Sequence, residues 1–177
     1  MVIFLNKRFV IINVFLTFAI GFLVHGIYSW FPNIITSIFP VNESLYEHMK
    51  LIYYSPIISS TILYFIFKHK GYKINNFAFG LLVSTIFNII LFYLAYLPIY
   101  YNLGQNLLST LIIYFITIVI SQYLYYLIIE MDNNRKLNIV SIISLLIMVI
   151  PLTYLTWDTP KADFFRDPEN NTYGIKK

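Results

Sequence analysis

Cysteine is absent from this sequence, and charged residues make up only 11% of its 177 positions. Without cysteine the chain forms no disulfide bond and has no thiolate for catalysis. Soluble domains carry about 25% charged residues, so this chain has too little charge to present a water-facing surface on all sides. We therefore predict that a lipid bilayer covers much of the protein.

Charge is also missing from the middle of five apolar runs, each with the roughly 17–25 residues that a membrane-spanning helix needs. A strand of a membrane barrel would instead alternate apolar and polar residues over about 10 positions. The runs predict an all-α, polytopic membrane bundle over residues 1–156, followed by an extracytoplasmic tail at 157–177. The predicted spans are 9–28, 45–67, 77–96, 107–129 and 137–156, with a short interfacial or re-entrant segment at 31–39.

The first run has two interpretations, a cleaved signal peptide and a retained span. Its apolar part is longer than the usual stretch of about 7–15 residues in a signal peptide, and no small-x-small cleavage site follows it. We therefore expect the first run to stay in the membrane as a span.

Basic residues predict the orientation of the spans. Three groups of them fall on the same side of the membrane: Lys7 and Arg8, then Lys68, Lys70 and Lys73, and then Arg135 and Lys136. Cytoplasmic loops are enriched in lysine and arginine. The N-terminus is therefore predicted to be cytoplasmic and the C-terminus extracytoplasmic.

The remaining composition bears on source and partners. Heavy use of Ile, Asn, Lys, Tyr and Phe is typical of AT-rich genomes, which favours a bacterial cell membrane. The formal charge of +4 comes mostly from residues at span ends. Because no basic stripe with stacking aromatic residues is present, we expect no nucleic-acid partner.

A polar block at residues 40–50 interrupts the apolar sequence and opens the second span. Within it, Ser44 and Glu47 have the spacing of a capping box, in which Ser44 caps the helix and Glu47 bonds back to the Ser44 amide. Capping does not account for His48, or for Glu43 standing four residues before Glu47.

The block also has a functional interpretation, because other polar residues are predicted at the same side of the membrane. His25 lies near the end of the first span, and Asp158 follows the fifth. The candidate catalytic residues are therefore His25, Glu43, Glu47, His48 and Asp158. Converging carboxylates and imidazoles bind a divalent metal or act as acid and base. No H-E-x-x-H motif is present, so the sequence leaves open whether a metal or another cofactor binds.

Small and polar residues recur every fourth position in two spans. Such stripes are typical of close helix packing, and a substrate path lined by them is the alternative. Pro56 is expected to kink the second span. The stripes are Gly80, Ser84 and Asn88 in the third span, and Asn13, Thr17, Gly21 and His25 in the first.

Two blocks of the sequence resemble a known family. The first runs from Phe39 to Ser44 and continues with Glu47, His48 and Lys50, and the second comprises residues 165–168 and 172–175. They resemble the corresponding blocks of a family of small bacterial multi-spanning membrane proteins, a domain of unknown function. The resemblance implies that the two blocks act as one unit. Independently, the apolar residues Phe164, Phe165, Tyr173 and Ile175 predict that the tail folds back on the bundle as a lid. A mobile tail at the membrane interface is the alternative.

Three functions remain open at this point. The first is a metal-assisted site that acts on a lipid or an envelope component. The second is a non-enzymatic partner or assembly subunit of a membrane complex, and the third is a small passive permease. Ion-coupled carriers usually have a charged residue in mid-span, so a coupled pump is not among them.

Overall fold

The structure is a computed structural model that describes residues 2–175, with side chains described from Lys7 onward. Met1, Lys176 and Lys177, which the predicted bundle and tail include, lie outside the described residues. Within them the chain forms five long α-helices and no β-strand, and all five are long and apolar enough to cross a membrane. The prediction of an all-α polytopic bundle is confirmed. The helices are α1 (Val2–Trp30), α2 (Leu45–His69), α3 (Phe77–Leu103), α4 (Leu107–Ile129) and α5 (Arg135–Trp157).

The helices extend beyond the predicted spans at several ends, although α4 has the predicted bounds. Hydropathy detects only the apolar part of a helix, whereas the backbone continues until a cap or a turn residue stops it. Thus α3 runs through Pro98 to Leu103 and is capped by Gly104, whose φ of 77° suits glycine. Similarly, α5 begins at Arg135 because the Asn134 side chain accepts a hydrogen bond from the backbone N–H of Leu137.

Four of the helices form a ring. α1 packs against α2 and α4, and α3 closes the ring by packing against the same two helices. α5 packs outside the ring against α3 and is the most exposed of the five, whereas α2 is the most buried. The hydroxyl of Tyr46 on α2 donates to the carbonyl oxygen of Pro151 at 3.0 Å, which ties α5 to the ring.

The predicted stripes pack inside this ring. A Cβ added to Gly80 would lie 2.7 Å from the Tyr125 ring, so the glycine allows α3 and α4 to approach closely. Asn13 of α1 donates to Ser60 of α2 at 2.7 Å and to Gln122 of α4 at 3.0 Å. These polar side chains bond to one another across helices, as expected of a packing stripe.

One end of the bundle carries the polar block and the tail. We call it the polar end: α1, α3 and α5 end there, and α2 and α4 begin there. The tail after α5 folds back over it, as predicted for a lid. The rings of Phe165 and Tyr46 lie 4.7 Å apart, and Asn42 donates to the carbonyl oxygen of Gly174 at 3.0 Å. The tail is therefore packed against the start of α2.

Candidate functional site

Three of the predicted residues meet at the polar end. His25 projects from the last turns of α1, Glu43 lies directly before the helix cap Ser44, and His48 lies in the first turn of α2. The Glu43 carboxylate is 3.2 Å from Nε2 of His25 and 3.6 Å from Nε2 of His48. One ligand atom from each residue lies within 4.8 Å of the other two. We refer to His25, Glu43 and His48 as the His–Glu cluster.

The start of α2 fixes the orientation of the His48 ring. Nδ1 of His48 lies 3.0 Å from the carbonyl oxygen of Ser44. A carbonyl oxygen only accepts, so Nδ1 carries a proton and the lone pair of the neutral ring is on Nε2. That Nε2 atom faces Glu43. Metal-binding histidines typically have this arrangement, with the second ring nitrogen donating to a carbonyl or carboxylate.

Glu43 is the anionic member of the cluster. The hydrogen bond from His25 lowers the pKa of Glu43 below its ordinary value, although partial burial opposes this shift. The electrostatic interactions with His25 and His48 act in the same direction as the hydrogen bond. Glu43 is therefore a carboxylate at neutral pH, with 27% of its side chain exposed.

The cluster forms the polar end of a cavity of about 500 Å³ inside the helix ring. α1, α2, α3 and α4 all contribute to its wall. Beyond the cluster the lining is mainly apolar, and the side chains involved include Phe18, Phe22, Leu51, Ile52, Phe92 and Leu111. The arrangement combines a ligand-binding head with an apolar interior of the size usual for small-molecule sites.

A tail residue that is not one of the five predicted site residues, Glu169, completes the cavity wall. Glu169 lines this cavity and also a second one of about 280 Å³ between the tail and the loop before α2. A tight turn positions it: the buried Asp167 carboxylate accepts from the backbone N–H of Glu169 and from the Asn170 side chain, both at 2.9 Å. The turn-rich sequence around residue 168 was the available signal, but the sequence gives no direction for the fold-back.

Glu47 lies outside the cluster, although it is only one residue from His48. Its carboxylate is 2.7 Å from the Lys50 ammonium group, and both side chains are essentially fully buried. It also accepts from Thr156 of α5 at 2.8 Å and from the backbone N–H of Val41 at 3.1 Å. These contacts join the start of α2 to the end of α5 and to the preceding loop.

Of the two hydrogen bonds predicted for the capping box, one is present and the other is not. Ser44 does cap α2, because its side chain accepts from the backbone N–H of Glu47 at 3.2 Å. Glu47 does not bond back to the Ser44 amide, and Asn42 accepts from that amide instead, at 2.9 Å. The reason is electrostatic: a buried carboxylate is stabilised more by an ammonium group than by one more amide.

Asp158 also lies apart from the cluster. It is exposed at the end of α5 and accepts a hydrogen bond from the hydroxyl of Tyr154, one turn earlier, at 2.7 Å. Of the five candidate residues, the structure thus brings three together and leaves Glu47 and Asp158 with other partners.

The chain was compared with known proteins. It matches a family described as a family of unknown function, DUF6512, over residues 2–175. No curated protein and no solved structure matches it. The match covers both sequence blocks in which the resemblance was recognised.

Proposed function

Since the chain belongs to DUF6512, a family of unknown function, we propose its function from the site alone: a membrane enzyme whose His–Glu cluster binds a divalent metal that assists a reaction on a lipid or envelope component. One observation carries the proposal. Ligand atoms of His25, Glu43 and His48 lie within 4.8 Å of one another at the polar end of an apolar cavity.

The ligand types favour a zinc-like ion. Two histidines and one carboxylate are a ligand set of catalytic zinc sites, which keep a fourth position open for water or substrate. Two ligands of one tetrahedral zinc ion lie roughly 3.3–3.6 Å apart when each bond is about 2.0–2.2 Å. Nε2 of His25 lies 3.2 Å from one Glu43 carboxylate oxygen, and Nε2 of His48 lies 3.6 Å from the other, so both separations are near this range. The open position would face the cavity, where a metal ion polarises a carbonyl group or activates water.

The proposed location follows from the basic residues. Lys7, Lys68 and Arg135 lie at or near the bundle end opposite the cluster. The positive-inside rule assigns that end to the cytoplasm. The polar end, with the cluster and the tail, would then face the extracytoplasmic side of a bacterial cell membrane, where lipid head groups and envelope precursors are accessible.

The assembly-subunit alternative rests on α5. Its outward face is apolar and exposed, with Leu146 and Ile150 each 67% exposed. A bilayer covers such a face as well as a protein would, so the face does not favour a partner over lipid. The permease alternative requires a polar path through the bundle, and the polar residues Asn13, Ser60 and Gln122 instead bond to one another.

Zinc titration tests the metal site. The purified protein, stripped with chelator and placed in lipid nanodiscs, is titrated against a colorimetric zinc indicator, together with Glu43→Gln and Asp158→Asn. Wild type and Asp158→Asn should each bind one zinc ion per chain. Glu43→Gln should lose at least about tenfold in affinity, because an amide is a weaker ligand than a carboxylate. Equal affinity in all three proteins would overturn the metal site.

A lipid analysis tests the enzymatic part. Lipid extracts of cells that express wild type, Glu43→Gln or Asp158→Asn are compared by mass spectrometry. At least one lipid or lipid-linked species should differ in amount between Glu43→Gln and the other two. If the three profiles coincide while zinc still binds, the metal has no role in lipid chemistry.

A further inference from the structure

Resting on the metal site proposed above, we infer that the cavity takes one long-chain acyl group, entering from the bilayer, with its carbonyl head group at the His–Glu cluster. The proposal names a substrate class: a single-chain acyl compound, such as an ester or amide of a long-chain acid. It depends on three features of the cavity, namely its depth, its opening and the charge around its polar end.

The depth of the cavity suits a long acyl chain. Phe18 and Tyr114 line the inner part of the cavity, whereas His25 and Leu107 lie at its polar end. Each pair is seven residues apart on its helix, or about 10 Å along the axis. The cavity therefore extends well into the apolar layer of the bundle. Its volume of about 500 Å³ suits a narrow apolar chain with a head group and is too small for a whole two-chain lipid.

The opening lies toward the lipid. Phe22 on α1 and Leu107 on α4 both line the cavity, and 52% and 73% of these residues are exposed. They belong to neighbouring helices of the ring, so their exposure marks a lateral entrance between α1 and α4. A chain already dissolved in the bilayer would enter there without crossing water. It would exchange one apolar environment for another, so the head group and not the chain would supply the selectivity.

The charge at the polar end selects the head group. A divalent ion held by two neutral histidines and one carboxylate leaves a net charge of +1 at the cluster, and Glu169 stands beside the same cavity. The Glu169 carboxylate opposes a head group with several negative charges. Gln105, at the same end, offers an amide that donates to an oxygen atom. A neutral carbonyl oxygen is therefore the expected ligand at the open metal position.

A photoreactive probe tests this inference directly. The probe is dodecanohydroxamic acid with a diazirine near the end of its chain, because a hydroxamate chelates zinc through its carbonyl oxygen and its N–O oxygen. Zinc-loaded wild type in nanodiscs is irradiated with the probe, and labelled peptides are identified by mass spectrometry. Labels should fall on residues that line the inner cavity, and excess unlabelled dodecanohydroxamic acid should reduce them. Acetohydroxamic acid, which has no chain, should compete more weakly by at least about tenfold.

Two pairs of variants distinguish labelling inside the cavity from labelling at the protein surface. Leu107→Trp narrows the entrance, and its neighbour Leu108→Trp is the matched control, since Leu108 is 68% exposed and does not line the cavity. Leu111→Trp fills the cavity from α4, with the outward-facing Ile112→Trp as its control. The first member of each pair should reduce cavity labelling by about tenfold or more through steric overlap. Because Leu107 is exposed, its variant should fold even if Leu111→Trp does not.

The zinc titration distinguishes the two ways in which the inference can fail. If zinc binds but the labels fall only on lipid-facing residues, or if each variant labels like its control, the acyl cavity is wrong and the metal site stands. If wild type binds no zinc, the metal site and this inference are both overturned. Cavity labelling that requires zinc and is lost in Leu107→Trp but not in Leu108→Trp supports the inference.

Discussion

Glu43 and Glu47 lie four residues apart at the start of α2, and the fold gives their carboxylates different partners. Glu43 precedes the cap and faces two histidines, whereas Glu47 is inside the helix and faces Lys50 and Thr156. The sequence predicted both acids at one end of the bundle but could not separate them. The partners differ because Lys50 pairs with Glu47. The sequence does not show that Lys50 is buried, because the loop before α2 and the end of α5 enclose it only in the folded protein.

The two acids should therefore respond differently to the same substitution. Glu47→Gln leaves the Lys50 ammonium group buried without its counter-charge, which should cost about 3–5 kcal/mol of stability. Glu43→Gln removes a partly exposed group and should cost less than about 1 kcal/mol. Equilibrium unfolding of both variants in detergent measures the difference. Equal stability losses would contradict the assignment of Glu47 to the buried pair.

A second prediction at the scale of single residues concerns the two histidines. Zinc affinity should fall as the pH drops through the range in which the two histidines take up protons, because a protonated imidazole has no lone pair for the metal. Glu43 stays ionised through that range, because its pKa is lowered. Titrations between pH 5.5 and 8, with roughly half-unit steps, measure the slope. An affinity that does not change between about pH 5.5 and 8 would mean that histidine does not bind the ion.

At the scale of the helices, the sequence predicted much of the arrangement. Five apolar runs gave five helices, and four-residue spacing placed Gly80 and Ser84 on one buried face. Which helices pack against each other was not predictable, because a continuously apolar helix has a similar surface on every side. Periodicity therefore does not encode that α3 rather than α2 packs most against α5.

Gly80 provides the test of helix packing. Gly80→Leu should destabilise the protein by on the order of 1–3 kcal/mol, because the added side chain overlaps the Tyr125 ring. Ala95→Leu on the same helix is the control, since Ala95 is exposed and its substitution should be nearly neutral. Thermal unfolding in the same detergent compares the two. Identical melting temperatures for Gly80→Leu and wild type would show that α3 and α4 do not pack closely there.

At the scale of the whole molecule, a surrounding bilayer accounts for the low content of charged residues, and the folded-back tail completes the cavity wall. The tail turn around Asp167 brings Glu169 to the cavity, and Asn42 holds the tail at Gly174. The sequence favoured this fold-back from its apolar residues but did not identify Glu169 as a cavity residue. A contact between positions 132 residues apart has no signature in local pattern.

The orientation in the membrane is a further prediction at this scale. Reporter domains inserted after Lys73 and fused after Lys177 should lie on opposite sides, with the first in the cytoplasm, because basic residues flank the cytoplasmic ends. Paired reporters, one active only inside and one only outside, measure both positions. Two fusions on the same side would contradict the topology.

X-ray absorption at the zinc edge of the intact, zinc-loaded protein tests the metal site most directly. The account predicts two imidazole nitrogens and one carboxylate oxygen at about 2.0–2.1 Å, with one further light atom from water. His25→Gln and His48→Gln should each remove one imidazole from the spectrum. A zinc ion surrounded by oxygen atoms alone, or a spectrum that neither substitution changes from that of the wild type, would contradict the assignment of the His–Glu cluster as the metal site.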